Sequence, residues 1–271
     1  MAEVKAQKIV VFLQLNEFDK NLILNGIRIA TIFKKELCLF YQLKKSEADE
    51  KEKIKALLAA YVNPVKNEIP ELPVSTLILH DKLHELPDKL ADDYEAILLL
   101  AGALQFPKYA KALAESPVPF LFVNESIGNI STFKKLVLPV DLRKENSDSA
   151  LWSSYFGRFN GSGVVVVAAS DKNKDEQKQV MLNVALAKKL FGKFKIEHKI
   201  FKGAHSSLRN TFEGFELAIS SGSDLLVILG SSTITPLDWL IGLPEQKIIK
   251  RAGNLPVLVV NPQRDNYILC D

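Results

Sequence analysis

The chain has 271 residues, 47% hydrophobic and 25% charged, with 35 Lys+Arg against 32 Asp+Glu for a formal net charge of +3. These values exclude a disordered chain, a collagen-like chain and a strong polyelectrolyte, and the length admits one large domain or two ordinary ones. The longest apolar stretches, such as 163–169 and 96–104, fall far short of the ~20 residues that span a bilayer. The start, MAEVKAQKIVVFLQL, has no signal-peptide pattern, so a cytoplasmic protein without a membrane role is expected.

Apolar periodicity places strands at Ile9–Leu13, Leu37–Leu43, Val74–Leu79, Ala96–Leu100 and Phe120–Val123. Helices fall between them near Phe18–Lys35, Ala48–Val62, Lys82–Ala91 and Lys108–Ala114. A polar joining segment, Glu125–Thr132, follows. Strand patterns then resume at Leu136–Val140, Val164–Ala169, Ile196–Phe201, Leu225–Leu229 and Val257–Val260. The intervening helices are Ala150–Phe159, Lys174–Phe191, Ser207–Ser220 and Pro244–Arg251. Asn146, Ser147 and Asp148 are N-cap candidates for the first of these, and Gly192 is the expected C-cap of the second. Alternating strands and helices with short connections imply parallel sheets covered on both faces.

The pattern repeats. Ser116–Asn124 aligns with Gly253–Asn261 at an offset of 137, Glu95–Ala101 with Asp224–Gly230 at 129, and Ile9–Leu15 with Leu136–Leu142 at 127. Three runs in the same order with drifting offsets mean two copies of one domain. The expected domains are 1–126 and 133–271.

Usual catalytic motifs are missing. No G-x-G-x-x-G follows a strand, and there is no P-loop, H-E-x-x-H or G-x-S-x-G elbow. Two cysteines, Cys38 and Cys270, are too few for a disulfide framework, and Cys38 lies in an apolar run that suggests a buried, inert thiol. His80 and His84 stand four apart without an obvious third metal ligand, and His198 and His205 read as strand and loop residues. The six lysines of Lys188–Lys202 read as a solvated face, and no nucleic-acid partner is expected. Trp152 and Trp239 read as packing residues.

Ligands of open α/β sheets bind at the carboxyl ends of the strands. In the second copy those ends are Asp141 and the Gly230-Ser-Ser-Thr233 segment. The combination Leu138-Pro-Val-Asp141, Asp224-Leu-Leu-Val-Ile-Leu-Gly230-Ser231 and Leu255-Pro-Val-Leu-Val-Val260, repeated in outline roughly 130 residues apart, resembles the universal stress protein family in a tandem two-domain form. The resemblance implies two Rossmann-like domains of the adenine nucleotide alpha hydrolase-like kind, each a five-stranded parallel sheet with helices on both faces. In nucleotide-binding members the Asp after the first strand contacts adenosine, and a G-x-x-G-(nine residues)-G-[ST] loop wraps the phosphates. Glycine lets the backbone approach an anion there and point its N–H groups at it.

Asp141 and Gly230 match that pattern; Thr233 stands at the second glycine, and Leu243-Pro244 at the final Gly-[Ser/Thr], with Gly242 one place early. Residues 230–242 contain no Lys or Arg, and Asp238 adds negative charge. The candidate ligand set is Asp141, Ala168, Gly230, Ser231, Ser232, Thr233 and Gly242, with Thr235 adding a hydroxyl. In the first copy Gln14 replaces the Asp and Ala101 the glycine, so that site is expected to be degenerate. The implied function is non-catalytic stress response or regulation without ATP in the usual loop. Binding of ATP, AMP or another small ligand by the second copy is the alternative, and an enzyme is the remote third. Family members dimerise through their last strands, so Phe120–Val123 and Val257–Val260 are expected to pair within the chain as a pseudo-dimer. A homodimer and protein partners stay open.

Overall fold

A computed structural model describes residues 6–128, 130–231 and 243–261. The chain divides into two compact units, the first running to Ile130 and the second starting at Ser131.

In the first unit the strands are β1 (Lys8–Phe12), β2 (Glu36–Gln42), β3 (Val74–Leu79), β4 (Ala96–Gly102) and β5 (Phe120–Val123). They form a parallel sheet in the order β3-β2-β1-β4-β5. Its helices are α1 (Asp19–Phe33), α2 (Lys51–Glu68), α3 (Leu86–Tyr94) and α4 (Phe106–Glu115). The second unit has β6 (Lys135–Val140), β7 (Gly163–Ala168), β8 (His198–Lys202), β9 (Leu225–Leu229) and β10 (Val257–Val260). Their order, β8-β7-β6-β9-β10, is again parallel and repeats the first unit's arrangement. Its helices are α5 (Asn146–Asn160), α6 (Lys174–Lys193), α7 (Ser207–Ser220) and α8 (Pro244–Arg251).

Each sheet explains its own sequence. Strands β4 and β9 are buried at every position, because a central parallel strand is covered on both faces and must be apolar throughout. The edge strands β3 and β8 are mostly part-exposed and keep polar residues, which suits an unpaired strand margin. Two helices press unusually close to a sheet. A Cβ on Gly26 of α1 would stand 2.5 Å from Val11 Cγ2, and one on Gly214 of α7 only 2.3 Å from Pro139 Cγ.

Three local expectations are corrected. Asn146–Asp148 do not cap α5, which already includes them and has Glu145 at its N-cap. The Asn146 side chain is instead used in a contact described below. Helix α6 runs through Gly192 to Lys193, so Gly192 is not its cap; the Asn173 side chain closes its other end on the N–H groups of Asp175 and Glu176. Helix α2 continues past Val62 through Pro64 to Glu68, because Val65 extends the buried stripe of Ile54, Leu58 and Val62. That packing outweighs the donor lost at proline.

Candidate functional site

The second unit's site begins at the carboxyl end of β6. Asp141 is only 6% exposed. Both its oxygens are spoken for: Oδ1 accepts from the Arg143 backbone N–H at 2.8 Å and from Asn146 Nδ2 at 2.9 Å. Oδ2 takes the Arg143 guanidinium, at 2.9 Å from Nε and 2.7 Å from Nη2. Arg143 Nη1 then donates to the Gly230 carbonyl at 3.0 Å, tying the end of β6 to the end of β9. Asn183 of α6 closes the turn from behind, donating to the carbonyls of Asp141 (2.9 Å) and Arg143 (2.8 Å). Two guanidinium nitrogens thus converge on the one oxygen Oδ2, a charge-assisted contact stronger than a hydrogen bond between neutral groups.

The second feature lies where the family resemblance places phosphate. Glu245, 3% exposed and in the first turn of α8, reaches the residue that follows Gly230. Its Oε1 accepts the Ser231 N–H at 3.3 Å, and its Oε2 accepts the Ser231 hydroxyl at 3.0 Å. The chain thus supplies its own carboxylate to the backbone donor at the end of the fourth strand. Beside this contact is a cavity of about 280 Å³ lined in part by Asp141, Arg143, Ser231 and Glu245. Phosphate and Glu245 are both anions, so a phosphate at the Ser231 N–H would compete with Glu245 for that donor.

The first unit shows the same arrangement with different residues. Gln14, at the position of Asp141, donates from Nε2 to Tyr109 Oη at 2.8 Å and accepts from Lys108 Nζ at 3.1 Å. The loop after β1 is organised by Asp19, which is fully buried and accepts the N–H groups of Gln14, Leu15 and Asn16 at 2.9, 2.7 and 3.3 Å. Burial raises the Asp19 carboxyl above its ordinary range, and those three bonds pull it back. At the end of β4, Glu125 is 4% exposed and accepts the Leu104 N–H at 3.2 Å. Its carboxylate lies directly over Gly102, where a Cβ would come within 2.3 Å of Oε1. Burial raises Glu125 as well, against its backbone hydrogen bonds. Tyr109 is shifted upward, chiefly by burial and then by the charge of Glu125.

Of the candidate set, Asp141 and Ser231 line the cavity. Gly230 takes part through its carbonyl alone, and its N–H is held by the Val260 carbonyl at 2.8 Å. Ala168 ends β7 with its carbonyl bonded to the Gly203 N–H at 2.7 Å, and it does not line the cavity. Ser232, Thr233, Gly242, Thr235, Asp238 and Trp239 lie outside the described residues. Arg143, Asn183 and Glu245 are not singled out in the sequence, and Asn146 is singled out there only as a helix cap. The available signal was a cation two residues after Asp141 and an acid directly after the helix-starting Pro244.

Elsewhere, Cys38 is buried and its thiol is pushed up to about 12, mainly by desolvation. His80 and His84 precede α3 without forming a helical pair. Among the described residues no cluster of three or more His, Cys, Asp or Glu stands ready for a metal ion. Trp152 is buried, with its ring edge-on to Tyr155 at 5.4 Å. Among the described residues no helix is long and apolar enough to cross a membrane.

No protein-family model and no curated protein matches the chain. Solved structures do. A universal stress protein from Archaeoglobus fulgidus DSM 4304 superposes with a TM-score of 0.67 at 12% identity, over 95% of this chain and 97% of that one. The fold is that of the universal stress proteins. A putative universal stress protein from Pseudomonas aeruginosa UCBPP-PA14 gives a TM-score of 0.62 at 16% identity, over 94% and 93% of the two chains. The cytoplasmic domain of a prokaryotic cation chloride cotransporter gives 0.55 at 10% identity, over 97% and 98%. Both stress-protein matches span the whole tandem arrangement, in agreement with two successive copies of the domain.

Proposed function

We propose that the protein is a non-catalytic, universal-stress-protein-like regulatory protein of the cytoplasm whose nucleotide positions are closed by its own side chains. One observation carries this reading: the donor at the end of the fourth strand already holds a buried glutamate in each unit, Glu125 on Leu104 and Glu245 on Ser231. The Asp141 carboxylate, the group that would meet adenosine, is bound to Arg143 and Asn146. The motifs that would supply a nucleophile, a P-loop or a metal cluster are missing from the sequence. Such a fold answers to partners and conditions through its surface and stability, in keeping with its use both in stress proteins and in the cytoplasmic domain of a cotransporter.

The test is thermal unfolding of the whole protein with ATP and AMP at millimolar concentration. The melting temperature is expected to stay unchanged. A ligand at 100 times its Kd stabilises by about 2.7 kcal/mol, so at millimolar nucleotide a Kd of about 10 μM or tighter would register clearly. A rise of several degrees that disappears in Asp141→Ala would overturn the proposal in favour of nucleotide binding by the second unit.

A further inference from the structure

The cavity beside Glu245 has a chemical bias. Its walls are largely apolar, made by Leu142, Leu208, Phe212, Ile228, Leu229 and Pro244. Its volume, about 280 Å³, is at the lower end of small-molecule sites and suits a body of one aromatic ring. Leu208 at its margin is 92% exposed, an apolar side chain presented to water without cover.

The polar groups are unevenly satisfied. Arg143, the cation in the lining, spends Nε and Nη2 on Asp141 and Nη1 on the Gly230 carbonyl. The Ser207 hydroxyl donates to Asp171 at 2.5 Å and accepts the Leu142 N–H at 3.1 Å. Glu245 stands differently. It receives two hydrogen bonds from Ser231, yet no ion pair among the described residues includes it, although it is 3% exposed. Among the described lining residues the formal charges are −1 for Asp141, +1 for Arg143 and −1 for Glu245, a net of −1. A carboxylate withdrawn from water is an expensive group, and its place in the first turn of α8 offsets only part of that.

We infer that this cavity is a binding site for a small apolar molecule carrying a primary ammonium group, whose charge meets Glu245 while its ring lies against the apolar walls. The inference rests on the closed-cradle reading, because Glu245 must remain seated on Ser231 for its charge to face the cavity. An ammonium has three donors, and Glu245 has lone pairs left after Ser231 is served. An anion of the same size would meet repulsion from Glu245, and three of the five Arg143 N–H donors are already engaged by Asp141 and the Gly230 carbonyl.

The probes are phenethylamine and 3-phenylpropionate, a pair of similar size and opposite charge, titrated into the full-length protein and followed by saturation-transfer NMR. Phenethylamine is expected to bind with a millimolar Kd, at least about tenfold tighter than phenylpropionate. Glu245→Gln, with its fold checked by circular dichroism, should erase that preference. Thr211→Trp, which fills the cavity and leaves Glu245 in place, should abolish binding of both probes. Equal binding of the two probes, a preference unchanged in Glu245→Gln, or no phenethylamine binding up to about 10 mM would each overturn the inference. ATP is run in parallel. If ATP fails to bind and phenethylamine also fails, only this inference falls. If ATP binds, the closed-cradle reading falls, and the amine preference with its dependence on Glu245 is still decided by its own arms.

Discussion

Substituting Gly102 by alanine isolates the internal carboxylate of the first unit. The backbone at Gly102 has φ −70° and ψ 132°, an ordinary extended conformation open to any residue. Conformation alone would therefore make Gly102→Ala favourable by about 0.4–1 kcal/mol, through a less flexible unfolded chain. The obstacle is Glu125: the new Cβ would lie 2.3, 2.4 and 2.7 Å from its Oε1, Cδ and Oε2. The carboxylate must leave its buried seat, and its part-buried hydrogen bond from the Leu104 N–H is lost, a loss of about 1.5–3 kcal/mol for a bond to a charged group. The net expectation is a destabilisation of about 1–2 kcal/mol, seen as a fall of roughly 3–8 °C in melting temperature. Glu125→Ala removes the same contact from the other side. The two changes together should then cost little more than either alone, with a coupling of about 1 kcal/mol in a double-mutant cycle measured by urea unfolding. A neutral or stabilising Gly102→Ala, or strict additivity of the pair, would refute the argument that glycine is needed there to seat Glu125.

Two further outcomes follow from the titrating groups. Asp19 and Glu125 have carboxyls raised above their ordinary 3.8 and 4.5, burial being the largest cause in both. The native chain therefore keeps protons that the unfolded chain has released, so their contribution to stability is full below those ordinary values and is lost as pH rises through the raised ones. Urea midpoints measured upward from about pH 4 should fall accordingly, and Glu125→Gln should flatten the slope; an unchanged slope would contradict the assignment. Separately, Cys38, with its thiol pushed up to about 12 and its side chain buried, should react with a thiol reagent only after denaturant is added. Rapid labelling of Cys38 in the native protein, located by mass spectrometry, would contradict that burial.

The fold was legible because the inner strands of each sheet are buried on both faces. Continuous apolar runs such as Leu225–Leu229, Val257–Val260 and Phe120–Val123 end where the structure ends them, since the first polar residue marks the limit of the covered sheet. Helix ends were harder. Asn146 has the chemistry of a cap, but contacts with Asp141 and the Arg143 carbonyl within the turn between β6 and α5 claim its amide. In the site, Asp141 stood out by its place after a strand. What holds it did not, because the bond from Arg143 to the Gly230 carbonyl and the contact of Glu245 with Ser231 depend on which strand lies beside which. The glycines at 26, 102 and 214 gave no sign in the sequence, as each answers to a side chain distant along the chain.

The two units reach one solution from different places in the chain. Glu125 follows the fifth strand of its unit, whereas Glu245 belongs to the helix before the fifth strand of the other, so a simple copying of one residue cannot account for both. What they share is the need they meet. The turn after the fourth strand presents a backbone N–H, at Leu104 in one unit and Ser231 in the other, and a hydrogen bond from such a donor to a charged acceptor contributes about 1.5–3 kcal/mol. A phosphate would satisfy it, and so does a carboxylate. The consequences then diverge. Glu125 is packed over Gly102, so its carboxylate is fixed by contact on the sheet side. Glu245 instead borders a cavity and has no ion-pair partner among the described residues, so its charge remains available to a ligand. The same local need therefore yields a structural plug in the first unit and, in the second, a plug that is also a recognition group.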